Sequence, residues 1–264
     1  MKKYLLLLSA VLVFSACQTV PITGRKQISL VSNSQVTQLS SDSYRQMLEE
    51  SDIVKTGAQA DMVRKVGAAI AKSAEDFLRE NGLESEVLTY SWEFNLIKED
   101  DTANAFCMPG GKIAVYTGIL PYTKNEAGLA VVMGHEVAHA IAKHGAERMS
   151  QSLLIDYGGA AFSYMIANKP AETQQLLMTA FGAGTQIGIM LPYSRKHELE
   201  ADRIGLILMA RAGYDPNSAV TFWQDMSGGN SGGSDILSTH PSDSRRIDEI
   251  KSLIPEAMPY YKKS

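Results

Sequence analysis

Cysteine is nearly missing: Cys17 and Cys107 are the only two in 264 residues, which excludes a disulfide framework. Cationic excess is missing as well. With 25 Lys and Arg against 29 Asp and Glu, and a net charge of -4, the composition carries no nucleic-acid footprint and no nucleic-acid partner is expected. No apolar run reaches the roughly 20 residues that a membrane-spanning helix needs. The N-terminal run covers only Tyr4 to Phe14, and the Gly-, Ala- and Met-rich stretch from Asp156 to Pro192 is interrupted by Pro170, Glu172, Gln174 and Gln186. There is also no internal repeat, phosphate-binding glycine loop or tetratricopeptide array. What remains, 45% hydrophobic, is the composition of one globular domain.

Histidine is scarce too, at five in the chain, yet two of the five fall in His135-Glu136-Val137-Ala138-His139. Positions four apart on an α-helix lie on one face one turn apart, so His135 and His139 can offer both imidazoles to one metal ion. Glu136 stands beside the first of them, where its carboxylate can take a proton from a water on that metal. The surrounding pattern is helical. Thr123-Lys-Asn-Glu126 has the spacing of a capping box, with Thr123 as N-cap, and Leu129, Val132, Met133, Val137 and Ile141 form an apolar stripe. Two histidines and a glutamate inside such a buried helix are costly unless a metal satisfies them. His144, nine residues after His135, falls on the opposite face and reads as a surface histidine near the helix C-terminus.

A catalytic zinc usually has a third protein ligand. Ser194 to Arg203 supplies the candidates. Glu198 is one, with Asp202 one turn on and placed to hydrogen-bond a ligand histidine; Glu200 competes for the role, and His197 stays open.

Elsewhere the pattern is mainly helical. Helices are expected over Ser34 to Glu50 and over the apolar face from Met62 to Leu78, closed by Asn81-Gly82. The period then drops to two. Strands are expected at Trp92 to Leu96, Asn104 to Met108 and Lys112 to Tyr116, with Pro109-Gly-Gly111 as a turn. The edge of that small sheet suits an extended peptide added as a further strand. Cys107 lies in an apolar run and reads as a small core residue. Asp156 to Pro192 reads as two packed or cleft-lining helices. Ser227 to Ser234 is a Gly/Ser linker that delivers His240, and a last helix follows from Ser242 to Ile254.

Residues 1–16 combine basic Lys2 and Lys3, an apolar run and small Ser15-Ala16 ahead of Cys17, which looks like a bacterial lipoprotein signal with lipidation at Cys17. A secretory signal cut near Ala16 and an uncleaved anchor are the competing readings. Residues 17–33 then read as a tether, and 34–264 as the folded domain.

Taken together, His135-Glu-Val-Ala-His139, Ser194-Arg with Glu198-Leu-Glu-Ala-Asp202, Val20-Pro-Ile-Thr-Gly-Arg25, Asn104-Ala-Phe106 with Pro109-Gly-Gly111, and Thr239-His-Pro241 with Arg245-Arg246 resemble the gluzincin metallopeptidases of the HtpX and CAAX-prenyl-protease type, family forty-eight. The likeness is greatest to soluble lipoprotein or mitochondrial quality-control members. The resemblance implies a mainly helical α+β fold with a small sheet beside the active-site helix, and one Zn2+ per subunit on His135, His139 and Glu198. It also implies Glu136 as general base and Asp202 in support. Asn104, Ala105 and Phe106 would bind substrate backbone, and His240 would act as a latching fourth ligand or a donor to the tetrahedral intermediate. The expected function is a zinc endopeptidase acting on misfolded or misassembled cell-envelope proteins. It would be lipid-anchored in a bacterial envelope, facing the periplasm and favouring the outer membrane. The alternative is a chaperone-like assembly factor with a latent zinc site.

Overall fold

The computed structural model describes residues 17–185, 191–228, 236, 240 and 244–262. The leader (1–16) and most of the Gly/Ser linker lie outside the described residues.

Strands β1 (Cys17–Thr19) and β2 (Lys26–Ile28) pair antiparallel. The segment expected to be a tether is thus a hairpin docked on the fold. Its turn needs left-handed backbone at Ile22 and Gly24, and Val20 is 1% exposed in the main core. Burial of that one side chain and the ion pairs of Arg25 hold the hairpin down, which polar composition alone could not reveal.

Helix α1 (Asn33–Glu49) is capped by Ser32, whose side chain accepts from Gln35 N. In α2 (Ala58–Glu80) the buried residues Val63, Val66, Ile70, Ala74 and Phe77 recur at helical spacing. Gly82, at φ +73, lets the chain reverse, with Leu83 N donating to Leu78 O at 2.9 Å. A single turn, α3 (Glu84–Val87), leads into the second sheet. There β3 (Glu93–Ile97) runs parallel to β5 (Lys112–Tyr116), and β4 (Ala105–Met108) runs antiparallel to β5, giving the order β3-β5-β4. β4 is therefore an edge strand, and it faces the next long helix.

After a short α4 (Leu120–Thr123), α5 (Glu126–Ile141) is buried from Gly128 to Ile141. Its N-cap is Asn125, whose side chain accepts from Gly128 N, and not Thr123. Thr123 closes α4 instead, and its hydroxyl donates to Leu120 O. α5 stops because Lys143 adopts left-handed φ of 57°, and α6 (His144–Ile166) leaves in a new direction. α6 pairs with α7 (Ala171–Thr185), the two helices expected between Asp156 and Pro192. α8 (Leu191–Arg211) returns to pack along α5, followed by α9 (Ser218–Gly228) and α10 (Ser244–Ala257).

α5 and α8 cross with their backbones close together, and two glycines make this possible. A Cβ on Gly205 would stand 2.9 Å from His135 N, and one on Gly134 would stand 3.0 Å from Gly205 O. Backbones this close bring the side chains of one helix under those of the other. The mainly helical α+β architecture expected from the pattern is the one observed.

Candidate metal centre

His135 and His139 lie one turn apart on α5, and their Nε2 atoms converge to 3.0 Å. Glu198 reaches them from α8. Its Oε2 is 3.3 Å from His135 Nε2 and its Oε1 is 3.4 Å from His139 Nε2. His240 completes the group from the chain before α10, with Nδ1 2.9 Å from Glu198 Oε2 and 3.2 Å from His135 Nε2. One ligand atom from each of the four lies within 4.8 Å of the others. Imidazole nitrogens and a carboxylate are the donor types that suit zinc, and lone pairs aimed at one another in a buried site need a cation between them. The residues therefore fit a metal.

Glu136 is 4% exposed, and its Oε1 has no hydrogen-bond partner among the described residues. His240 Nε2 is 3.4 Å from that oxygen. A buried carboxylate oxygen left open beside the clustered donors is positioned to take a proton from water.

Each of the two α5 histidines is also held from behind. Asp202 Oδ1 is 2.9 Å from His135 Nδ1, so a proton on Nδ1 leaves Nε2 free for metal. Arg246 clamps Asp202 through Nε at 2.9 Å and Nη2 at 2.8 Å, and its guanidinium lies 3.7 Å over the Trp223 ring. In the metal-free chain these charges set the titration. Burial lowers the His135 pKa, but Asp202 and Glu198 outweigh it and raise the value to about 9. Burial pushes Glu198 up, but the three histidines hold it far below the usual carboxylate range. His139 moves the other way, with burial driving it well below an ordinary imidazole.

Glu200 and His197, both open as ligands from sequence, turn away from the cluster. Glu200 accepts from Arg25 Nε at 2.7 Å and His144 Nε2 at 3.0 Å, and also from the Thr23 hydroxyl. His197 Nε2 meets Glu147 Oε2 at 2.9 Å. His144 is the clearest departure, since it is 0% exposed and its Nδ1 is 2.8 Å from His139 Nδ1. Counting turns from His135 assumes one continuous helix. The left-handed break at Lys143 starts a new one and swings His144 back beneath the site. Arg25, Glu147 and Arg246 are thus partners that pattern reading gave no role, and His144 is one that it placed at the surface; only Arg25 and Arg246 carried a signal, as letters of a motif.

A cleft of about 360 Å³ opens in front of the cluster, lined by Tyr90, Phe106, Met108, Glu136, His139 and His240 among others. Asn104, Ala105 and Phe106 also border it. Ala105 is 2% exposed, and Asn104 contributes its carbonyl to Tyr116 N at 3.0 Å. Cys107 is a free thiol lining the same cleft, and burial raises its pKa well above an ordinary thiol. Among the described residues no helix is long and apolar enough to cross a membrane.

Residues 65–254 match the sequence profile of peptidase family M48. The mitochondrial metalloendopeptidase OMA1 of Schizosaccharomyces pombe is 32% identical over 92% of the chain and 68% of its own length. Human mitochondrial metalloendopeptidase OMA1 is 32% identical over 96% of the chain and 48% of its own length. The beta-barrel assembly-enhancing protease of Escherichia coli is 27% identical over 92% of the chain and 49% of its length. The chain thus spans about half the length of the last two. These matches overturn the expected placement in a bacterial envelope, since the relatives at 32% identity are mitochondrial and the bacterial one is more distant. A basic start followed by an apolar run records hydrophobicity, not which membrane the run meets. The profile match, nearly full-length similarity to metalloendopeptidases and a buried His/His/Glu cluster together identify the chain as a metalloendopeptidase belonging to peptidase family M48.

Proposed function

We propose that the chain binds one zinc ion through His135, His139 and Glu198, and hydrolyses peptide bonds in misfolded or misassembled proteins. The observation that carries this reading is the convergence of four donor atoms within 4.8 Å beside a buried carboxylate with one open oxygen. A zinc ion held there supplies positive charge that polarises a substrate carbonyl and acidifies water. Glu136 takes the proton of the attacking water and returns it to the leaving amine nitrogen. Asp202 keeps His135 in the tautomer that presents Nε2. An extended peptide adds along the edge of β4 at Asn104, Ala105 and Phe106, where main-chain hydrogen bonds give affinity that ignores side-chain identity. Such binding suits substrates defined by their unfolded state.

His240 favours a second, compatible reading. Its ring lies among the ligands and against Glu136, which supports a latched state in which it serves as fourth donor. In that state the protein acts as an assembly factor that seldom cleaves. Swinging away, His240 becomes free to donate to the tetrahedral intermediate.

The test is metal content and casein cleavage for the purified chain and for Glu136→Gln. One zinc per chain in both, with cleavage only in the wild type, is the expected result. A folded protein that takes up no zinc overturns the reading. Zinc in both without cleavage in either favours the latched state, and His240→Ala should then release activity. The leader pattern further supports a chain processed at Cys17, which the intact mass of the natural protein would show as loss of residues 1–16 with added acyl mass; an unmodified Cys17 sinks that part alone.

A further inference from the structure

The hydrogen bonds behind His139 run outward through two elements that the proposed chemistry does not use. His139 Nδ1 is 2.8 Å from His144 Nδ1. His144 Nε2 is 3.0 Å from Glu200 Oε2, and the same oxygen accepts from Arg25 Nε at 2.7 Å. The Thr23 hydroxyl donates to the other carboxylate oxygen. Arg25 also forks onto Glu147 through Nη1 at 2.9 Å and Nη2 at 2.7 Å.

Donor and acceptor roles follow from the far end inward. Glu200, paired with Arg25, is a carboxylate and can only accept, so His144 Nε2 carries a proton. With its one proton held on Nε2 by that carboxylate, the neutral His144 ring presents Nδ1 as a lone pair. That lone pair must take a proton from His139 Nδ1. The tautomer with Nδ1–H is the one whose Nε2 is free, and His139 Nε2 is the atom facing His135 and Glu198. Asp202 does the same for His135 through Nδ1, but at His139 the orienting group is another imidazole, itself fixed by a carboxylate from α8 and a guanidinium from the β1–β2 turn.

We infer that His144 is a positioning residue that fixes the metal-binding tautomer of His139, and that Glu200 and Arg25 make the N-terminal hairpin part of the metal site. The inference rests on His139 being a ligand, as proposed above. A consequence is that lifting the hairpin off α6 and α8 loosens the metal without touching any ligand.

The experiment measures zinc affinity by chelator competition, and the visible absorption of the cobalt-substituted protein, for the whole chain as wild type, His144→Leu, His144→Asn and Arg25→Met. Leu removes the acceptor for His139, whereas the Asn side-chain oxygen lies near the place of Nδ1 and keeps it. Expected are a 10- to 100-fold loss of zinc affinity with an altered cobalt spectrum in His144→Leu, recovery of most of that loss in His144→Asn, and a roughly three- to tenfold loss in Arg25→Met. A purely structural role for His144 would lower stability but leave the cobalt spectrum of the folded, loaded protein unchanged. Wild-type affinity and spectrum in folded His144→Leu overturn the inference, as does an Asn variant no tighter than the Leu one. Should His144→Leu not fold, Arg25→Met decides: unchanged affinity overturns the inference. If the wild type itself binds no zinc, it is the metal-site reading that fails.

Discussion

His135 carries opposite demands, because a metal needs its Nε2 bare while the metal-free site favours the protonated ring. Asp202 and Glu198 raise its pKa to about 9 against burial, above the unfolded value near 6.5. The folded, metal-free chain therefore holds a proton that the unfolded chain releases between those values. Its stabilisation is complete below about pH 6.5 and is lost as pH rises through about 9, on the order of 3 kcal/mol in all. Urea unfolding of the chelator-treated protein should show that decline, and the zinc-loaded protein should not, since its His135 is already deprotonated. A flat profile for the metal-free chain would contradict it. Asp202→Asn should cost about 3 kcal/mol, because it removes the buried two-point clamp on Arg246 over Trp223 and leaves that guanidinium only Glu198 at 3.4 Å as a nearby carboxylate partner among the described ion pairs; chemical denaturation reads this directly. The three residues of H-E-x-x-H were legible in the sequence because they share one helix and need only its period. Glu198 could be narrowed to a short segment but not singled out from Glu200, because which of two carboxylates two residues apart faces α5 depends on how α8 is rotated.

Among elements, the α5–α8 crossing sets the site. Gly134 and Gly205 let the two backbones meet, so His135 and Glu198 approach within 3.3 Å. Gly205→Ala puts a methyl against His135 N and the Gly134 carbonyl, all backbone atoms that cannot turn aside. The helices must separate, so we expect a loss of about 1–3 kcal/mol in stability together with at least tenfold weaker zinc binding. Wild-type zinc affinity in the folded variant would show that the spacing is not limiting. The strands and both long N-terminal helices were readable from period and turn residues. The end of α5 was not, since Lys143 occupies left-handed backbone that usually calls for glycine or asparagine.

Across the whole molecule, the four clustered donor residues come from α5, α8 and the chain ahead of α10, while the β1–β2 hairpin braces them from the N-terminal side. A metal ion held there would tie together parts of the chain more than a hundred residues apart. Zinc at about a thousand times its dissociation constant adds about 4 kcal/mol to the folded state, equivalent to roughly 10 °C in Tm for a domain of this size. Calorimetry with and without chelator should show this, and equal transitions would mean that the cluster holds no metal in solution.

Sequence by itself determined the chemistry: a helix carrying two histidines and a glutamate, a second acidic helix to complete the donor set, and the α+β pattern that houses them. Those features depend on neighbours along one element, where helical and strand periods dictate which side chains share a face. Tertiary structure alone decided which acid turns inward, that the N-terminal segment docks instead of trailing, and that His144 lies beneath the metal ligands. Each of these is settled by how elements distant in sequence rotate and cross, and a buried hydrogen bond between them leaves no period in the chain to read.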